Sequence, residues 1–354
     1  MIVSYSSVNE NDVFYAINSV VAPSDLCNKT IVLKPNVRSI HKYEKGKNTS
    51  PFTLEKVIKF FKQNYNNKII VCDGSIIGVD TIQSALISGI FNVCEKYSIE
   101  FIDVKKTQFI DYNIEILPYK IEISAIIDNA YIVNIPKLKT TYATPLSLSI
   151  KNLKGLLSDK SKKDFHRHGL NELLVELSKL IKSNISVIDA DIVLSLDTPI
   201  ESKMIIATDG FEEGDIYIAQ KLGFSLTDIK YLDIINCRLK HTEIEEKYFN
   251  MRNGLQEIGL KFITPVEYLS RNNINIIGNP CSGCCGCIFK ALEKSKFNET
   301  INIVAGFNSS NCQINNSFKT IAVGNCSNKN IRNRVTGCPP MISEIIELIK
   351  EENI

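Results

Sequence analysis

Apolar residues in this chain come mostly as short continuous runs, separated by longer mixed stretches with helical spacing. Runs of that kind read as strands buried on both faces of a sheet. The first covers Thr30–Pro35 and is closed by its proline. Ser50 and Pro51 then offer an N-cap and a first-turn proline for a helix over Phe52–Gln63. Lys68–Asp73 is a strand ending in an Asp-Gly turn signal, and residues 80–96 read as a helix. Glu100–Val104 and Ala130–Pro136 are further strands; a helix over Asn171–Lys182 precedes strands at Asn184–Asp189 and Lys203–Thr208. This alternation predicts an α/β fold, a mainly parallel sheet with helices on both faces. The pattern weakens between about 240 and 275. Beyond it come a cysteine-rich turn, a helix over Ile288–Lys296, strands Ile301–Ala305 and Thr320–Val323, and a last helix over Met341–Glu351. The expected organisation is an α/β domain over 1–240, a connection over 241–275, and a small α/β module over 276–354.

Composition narrows the function classes. With 44% hydrophobic and 23% charged residues in 354, the chain can bury a substantial core. A net charge of +2 argues against a nucleic-acid footprint spread over the chain. No apolar stretch approaches the ~18 residues of a membrane span. The start, Met1-Ile2-Val3-Ser4-Tyr5-Ser6, lacks the basic and apolar regions of a secretory leader, which predicts a cytoplasmic protein.

The cysteines change the picture most. Seven of eleven follow residue 280: Cys281, Cys284, Cys285, Cys287, Cys312, Cys326 and Cys338, the last followed by Pro339 and Pro340. Thiolates are soft ligands that select iron–sulfur clusters, zinc or copper(I). A zinc knuckle needs a second close pair or histidines; only Cys281-x-x-Cys284 supplies a half, and no histidine follows residue 241. A Cys-x-x-Cys pair with two distant cysteines, one preceding proline, suits an iron–sulfur cluster, and disulfides are rare in the expected compartment. Cys281, Cys284, Cys326 and Cys338 are the first-choice ligands of a 4Fe-4S cluster. Cys285, Cys287 and Cys312 are candidates for a second cluster, a redox thiol pair or packing. Cys27, Cys72, Cys94 and Cys237 read as buried small hydrophobes.

Ligands of open α/β sheets bind beyond the carboxyl ends of the strands. Polar motifs fall there: Lys34-Pro35-Asn36, Asp73-Gly74-Ser75, and Lys137-Leu138-Lys139 after Ile135-Pro136. Lys151-Asn152-Leu153-Lys154-Gly155 follows, with Lys151 and Lys154 on one face if helical. Lys34, Asn36, Asp73, Lys137, Lys139, Lys151, Asn152 and Lys154 are therefore candidates for holding a small anion, and a solvated lysine rim is the competing reading. Asp189, Asp191 and Asp209 follow later strands. His166, His168 and Asp209 are the candidate proton carriers. No Gly-x-Gly-x-x-Gly or Walker loop supports a nucleotide site.

Lys34-Pro35-Asn36, Thr49-x-Pro51, the Asp73-Gly74-Ser75 turn, Ile135 to Thr140 and above all Lys151 to Gly155 resemble the domain of unknown function 362 family. The later histidine and Ile188-Asp189-Ala190 fit as well, and the similarity covers roughly residues 28–225. Family members often carry cysteine-rich iron–sulfur segments, so the resemblance implies an iron–sulfur redox role without supplying a reaction. Two departures stand out. Thr141 replaces a usual histidine, and Asp197 to Ser202 replaces a Gly-Pro-x-x-Gly, which implies an altered substrate or lost catalytic power. The expected protein is an iron–sulfur redox enzyme or reductive partner acting on a small anionic substrate, served by a redox partner such as a ferredoxin. A non-enzymatic electron carrier, a cluster-handling protein and a zinc-stabilised binding module are the alternatives.

Overall fold

The computed structural model describes residues 1–141, 144–196, 198–240, 242–251, 255, 269, 273–278, 280, 282–295, 299–306, 309, 313–314 and 317–350, the side chains of 166, 167 and 282 excepted. Eleven α-helices occur among these residues, none long and apolar enough to cross a membrane. The chain divides into two units. The first holds Met1–Thr140, Leu146–Lys163 and Asn171–Phe262; the second holds Thr141–Pro145, Asp164–Leu170 and Ile263–Ile354.

In chain order the elements up to residue 139 are β1 (Ile2–Ser7), α1 (Glu10–Asn18), β2 (Thr30–Pro35), α2 (Pro51–Asn64), β3 (Ile69–Asp73), α3 (Thr81–Ser88), α4 (Ile90–Lys96), β4 (Glu100–Asp103), β5 (Phe109–Tyr112), β6 (Ile121–Ser124), β7 (Ala130–Ile135) and β8 (Lys137–Lys139). There follow α5 (Ser149–Asn152), α6 (Asp159–Arg167), α7 (Leu170–Leu180), β9 (Ile185–Ser195), β10 (Thr198–Thr208), α8 (Phe211–Lys221), α9 (Lys230–Arg238) and β11 (Glu245–Phe249). The second unit adds β12 (Ile274–Ile277), α10 (Ser282–Lys294), β13 (Ile301–Ala305), β14 (Lys319–Val323), β15 (Arg334–Val335) and α11 (Ile342–Lys350).

The main sheet runs β11-β1-β10-β9-β7-β2-β3-β4, with β8 also paired to β9. It is mixed and mostly parallel: β10 alone runs antiparallel to both its neighbours, β1 and β9. Strand alternation sorts the residues of each strand between two environments. Ile31 and Leu33 of β2, with Tyr131, Val133 and Ile135 of β7, join a core filled by Val13 and Ile17 of α1, Leu54, Val57 and Phe61 of α2, and Ile90 of α4. Lys34 and Asn134, one step out of phase, point to the opposite face, where Asn134 Nδ2 donates to Ser149 O of α5 at 2.9 Å. The second unit is a four-stranded parallel sheet, β12-β13-β14-β15, whose core unites Ile288 and Leu292 of α10, Ile303, Ile321 and Val335 of the strands, and Ile345 and Ile349 of α11.

Four sequence expectations need correction. The helix over 80–96 is two helices, because Gly89 takes φ +82° and ends α3 before α4 begins. Ser50 makes no side-chain cap on α2; its backbone N–H donates to Asp189 instead. The stretch 240–275, read as a connection, contains β11, which extends the main sheet beside β1. The cysteine-rich turn is helical: α10 starts at Ser282, six residues before Ile288, and carries Cys284, Cys285 and Cys287.

Candidate functional site

Buried polar groups must find partners, and here the strand ends supply them to one another. The Lys34 ammonium is fully buried and donates to Asp73 Oδ1 at 2.7 Å, Pro35 O at 3.0 Å and Asn152 Oδ1 at 3.2 Å. The other Asp73 oxygen accepts the Val37 N–H at 2.5 Å. Asn152 also accepts from Asn36 Nδ2 at 2.9 Å and donates to Asn134 Oδ1 at 2.7 Å. One network thus ties β2, β3, β7 and α5 together. Gly155 completes it, since a Cβ there would lie 1.9 Å from Asp73 Oδ1 and 2.6 Å from Lys34 Nζ.

A second pair lies beside it. Lys137 donates to Asp189 Oδ2 at 2.9 Å with both side chains fully buried. The same oxygen accepts the Ser50 N–H at 2.6 Å, which anchors the start of α2. Lys139 is different. It is 3% exposed, and its hydrogen bonds reach only neutral acceptors among the described residues: Asn36 Oδ1 and Lys47 O, the latter at 2.9 Å. Burial pushes its pKa well below the ordinary lysine value, repulsion from Arg38, Lys151 and Lys137 adds to this, and Asp73 opposes it. Two of these three buried lysines are therefore neutralised by aspartates. The third has no carboxylate partner among the described residues, and its burial favours loss of its proton.

The placement of α5 depends on Asp215 of α8. Its fully buried carboxylate accepts the N–H groups of Ser149 at 3.0 Å and Ile150 at 2.9 Å. Burial raises its pKa to about 7, with those two hydrogen bonds opposing the rise. Lys162 of α6 closes the Asp73 turn by donating to Gly74 O and Ser75 O, both at 3.1 Å.

In the second unit Cys284 and Cys285 are buried in α10, while Cys326 and Cys338 are exposed on the loops after β14 and β15. Gly324, at φ +88°, lies against Cys284; a Cβ on it would be 2.8 Å from the sulfur. Asn325 N–H donates to Gly337 O at 3.1 Å, and Gly337 N–H returns a bond to Asn325 Oδ1 at 2.8 Å. The loops of Cys326 and Cys338 are thus clasped together at the turn that touches Cys284 Sγ. Cys285 turns elsewhere, with its thiol 3.5 Å from Pro280 O. Cys281 and Cys312 lie outside the described residues. Among the described residues, no three Cys, His, Asp or Glu side chains are grouped closely enough to hold a metal ion. Of the four first-choice ligands, Cys284, Cys326 and Cys338 are described; thiolates are soft donors by type, and these three are not gathered into a ligand group.

The model of the domain of unknown function family DUF362 matches residues 31–217, more than half of the chain. The chain belongs to that family. No curated protein matches it.

In this DUF362 protein the network of Lys34, Asn36, Asp73 and Asn152 unites residues up to 118 positions apart in sequence. Lys151 and Lys154 are half-buried beside it. His168 belongs to the second unit, its backbone N–H bonded to Asp164 O at 2.9 Å, and the side chain of His166 is outside the described set. Asp209 lies beside the start of β9, because antiparallel β10 brings Thr208 opposite Ser186, whereas Asp189 is in the middle of that strand. Asp209 Oδ1 accepts the Ile2 N–H at 2.8 Å. It also lines a cavity of about 430 Å³ with Lys182, Ser183 and Glu213. Cys72 and Cys94 are buried as expected, their thiols pushed up to about 12 by burial, whereas Cys27 and Cys237 are exposed. Sequence reading passed over Asn134, Gly155 and Asp215. Only Gly155 carried a signal, as the last residue of the Lys151 motif; Asn134 and Asp215 look like ordinary strand and helix residues until the fold pairs them.

Proposed function

We propose that this protein is an iron–sulfur protein that performs or supports a reductive step on a small anionic molecule. The observation that carries this reading is the clasp of the Cys326 and Cys338 loops against the Gly324–Cys284 contact, at the carboxyl ends of parallel strands. Cys284, Cys326 and Cys338, with Cys281, are the residues that would hold a 4Fe-4S cluster, and such a cluster supplies one-electron transfer. Cys287 and Cys312 are left for a second cluster or a thiol pair. Cys285 belongs to packing, given its contact with Pro280 O. The first unit would hold the anion beside Lys139, whose two hydrogen bonds go to neutral acceptors, while Lys34 and Lys137 are committed to their aspartates. A cytoplasmic setting and a ferredoxin-like donor belong to the same reading.

The exposure of Cys326 and Cys338 favours one further reading, an electron carrier whose cluster edge meets a partner directly. Anaerobic purification with a visible spectrum and iron, sulfide and zinc analysis decides first. Broad absorbance near ~400 nm with equal iron and sulfide supports the cluster; a colourless protein with one zinc overturns it. Calorimetric titration with oxalate, a small dianion, tests the first unit. Binding that weakens with salt supports the anion site, and absence of binding leaves the carrier reading.

A further inference from the structure

Charge is distributed unevenly in the second unit. From Thr300 to Ser343 the chain has no aspartate or glutamate, although these make up 39 of its 354 residues, and it carries Lys319, Lys329, Arg332 and Arg334. Lys329 and Arg332 lie on the connection from β14 to β15, and Arg334 opens β15. Cys326 lies at the beginning of that connection and Cys338 just beyond β15, both exposed. A chain spans at most about 3.6 Å per residue, which keeps the Lys329 Cα within about 11 Å of the Cys326 Cα and the Arg334 Cα within about 14 Å of the Cys338 Cα. The end of the connection is tied back to β14, where Ala322 N–H donates to Asn333 O at 2.8 Å.

Lys329 and Arg332 are exposed, and Arg334 is half-buried. None of the three has an ion-pair partner among the described residues, and the buried Arg334 Nε finds no acceptor there. Surface lysines of the first unit are often paired: Lys59 with Glu10 at 2.6 Å, Lys96 with Glu55 at 2.7 Å, Lys230 with Glu172 at 2.6 Å. Beside the unneutralised loop stand exposed Pro339 and Met341, the latter 62% exposed. A small, less polar centre with a rim of one charge is the make-up of a transient docking surface.

We propose that the β14–β15 connection is the docking surface for a small acidic protein of the ferredoxin type, whose carboxylates meet Lys329, Arg332 and Arg334 around the Cys326 and Cys338 loops. The basic surface stands without any cluster; the type of partner rests on the iron–sulfur reading above. The same cations repel a basic partner. A nucleic acid fits less well, because the net charge of the whole chain is only +2 and residues 324–337 include no aromatic side chain to stack a base.

The test uses the full-length protein, purified anaerobically, with a plant-type ferredoxin as the acidic probe and cytochrome c as the basic one, both followed by interferometry. Ferredoxin should bind and cytochrome c should not, and raising salt from about 50 to about 200 mM should weaken the binding at least about threefold. Reversing two charges together, Lys329→Glu with Arg332→Glu, should weaken it about tenfold or more, while Lys68→Glu, exposed on the first unit, leaves it unchanged. The wild-type comparison of the two probes needs no variant. Failure of ferredoxin to bind, or binding indifferent to the double reversal, overturns the docking surface whatever the iron content. Iron and sulfide analysis of the same sample reads the cluster separately: binding that responds to the reversal in a protein without iron supports the surface and overturns the cluster. Tighter binding to a short DNA oligonucleotide than to ferredoxin, lost in the double variant, overturns the protein partner.

Discussion

Gly155→Ala tests the strand-end network at its tightest point. The new Cβ would sit 1.9 Å from Asp73 Oδ1, 2.6 Å from Lys34 Nζ and 2.9 Å from Lys34 Cε. An ordinary carbon–oxygen contact needs roughly 3.3 Å, so something must move by more than an ångström. The backbone has little room to retreat, because a Cβ placed on Gly74 would already lie 2.8 Å from Gly155 O. The pair itself must therefore open. Overpacking alone costs about 1–3 kcal/mol, and separating a buried ion pair about 3–5 kcal/mol. The expected loss is about 3–5 kcal/mol, a large share of a typical domain's stability. Gly155 has no positive φ, so backbone strain contributes nothing. Gly78→Ala is the contrast: its φ is +79° but nothing lies within 4 Å, which predicts a loss of about 1 kcal/mol. Since the chain has two units, a single unfolding transition cannot be assumed. Native-state hydrogen exchange at Leu33 and Val71, in the two strands the pair joins, reads the first unit directly. A Gly155→Ala protein whose protection there falls no further than that of Gly78→Ala would refute the reasoning.

Three other outcomes follow from the geometry. Asp215 holds its proton to about pH 7 when folded, against a usual unfolded value near 4, so the folded state binds a proton that the unfolded chain has released. Its contribution is full below pH ~4 and is lost as pH rises through 7, about 4 kcal/mol in all; urea midpoints across pH 4–8 should show this slope in wild type and not in Asp215→Asn. Cys326→Ser should abolish iron binding and visible absorbance while Cys27→Ser, on the first unit, keeps both; iron retention by Cys326→Ser removes that residue from the ligand set. Ser50→Ala should change stability by less than about 0.5 kcal/mol, because its hydroxyl has no partner among the described residues and the backbone N–H does the anchoring. A loss near the ~1 kcal/mol of a missing N-cap would contradict that geometry.

Buried apolar runs marked β2, β3, β7, β9, β13 and β14 in the sequence, because strands covered on both faces cannot alternate. The same rule hid β1 and β11, whose mixed residues, Ile2–Ser7 and Glu245–Phe249, form one side of the sheet. The helix start at Ser282 was obscured because Gly and Cys are weak helix formers and suggest a turn when crowded together. Within the site, the strand-end rule found the lysines but not their roles. Charge alone could not show that Lys34 and Lys137 each own a carboxylate, since Asp73 and Asp189 are 39 and 52 residues away along the chain. The difference that singles out Lys139 exists only once those partners are placed.

The pairing of β1 has a consequence for biosynthesis. Its hydrogen-bonding neighbours are β10 and β11, which begin at Thr198 and Glu245, and it pairs with no strand nearby in sequence among the described residues. During translation β1 therefore leaves the ribosome well before either of its partners. At typical elongation rates of about 5–20 residues per second, it waits roughly 10–40 s for its nearest partner. Throughout that interval Val3 and Tyr5, both fully buried in the finished sheet, travel with open backbone edges. The nascent chain thus carries a sticky, unpaired ribbon that a ribosome-bound chaperone is well suited to shield.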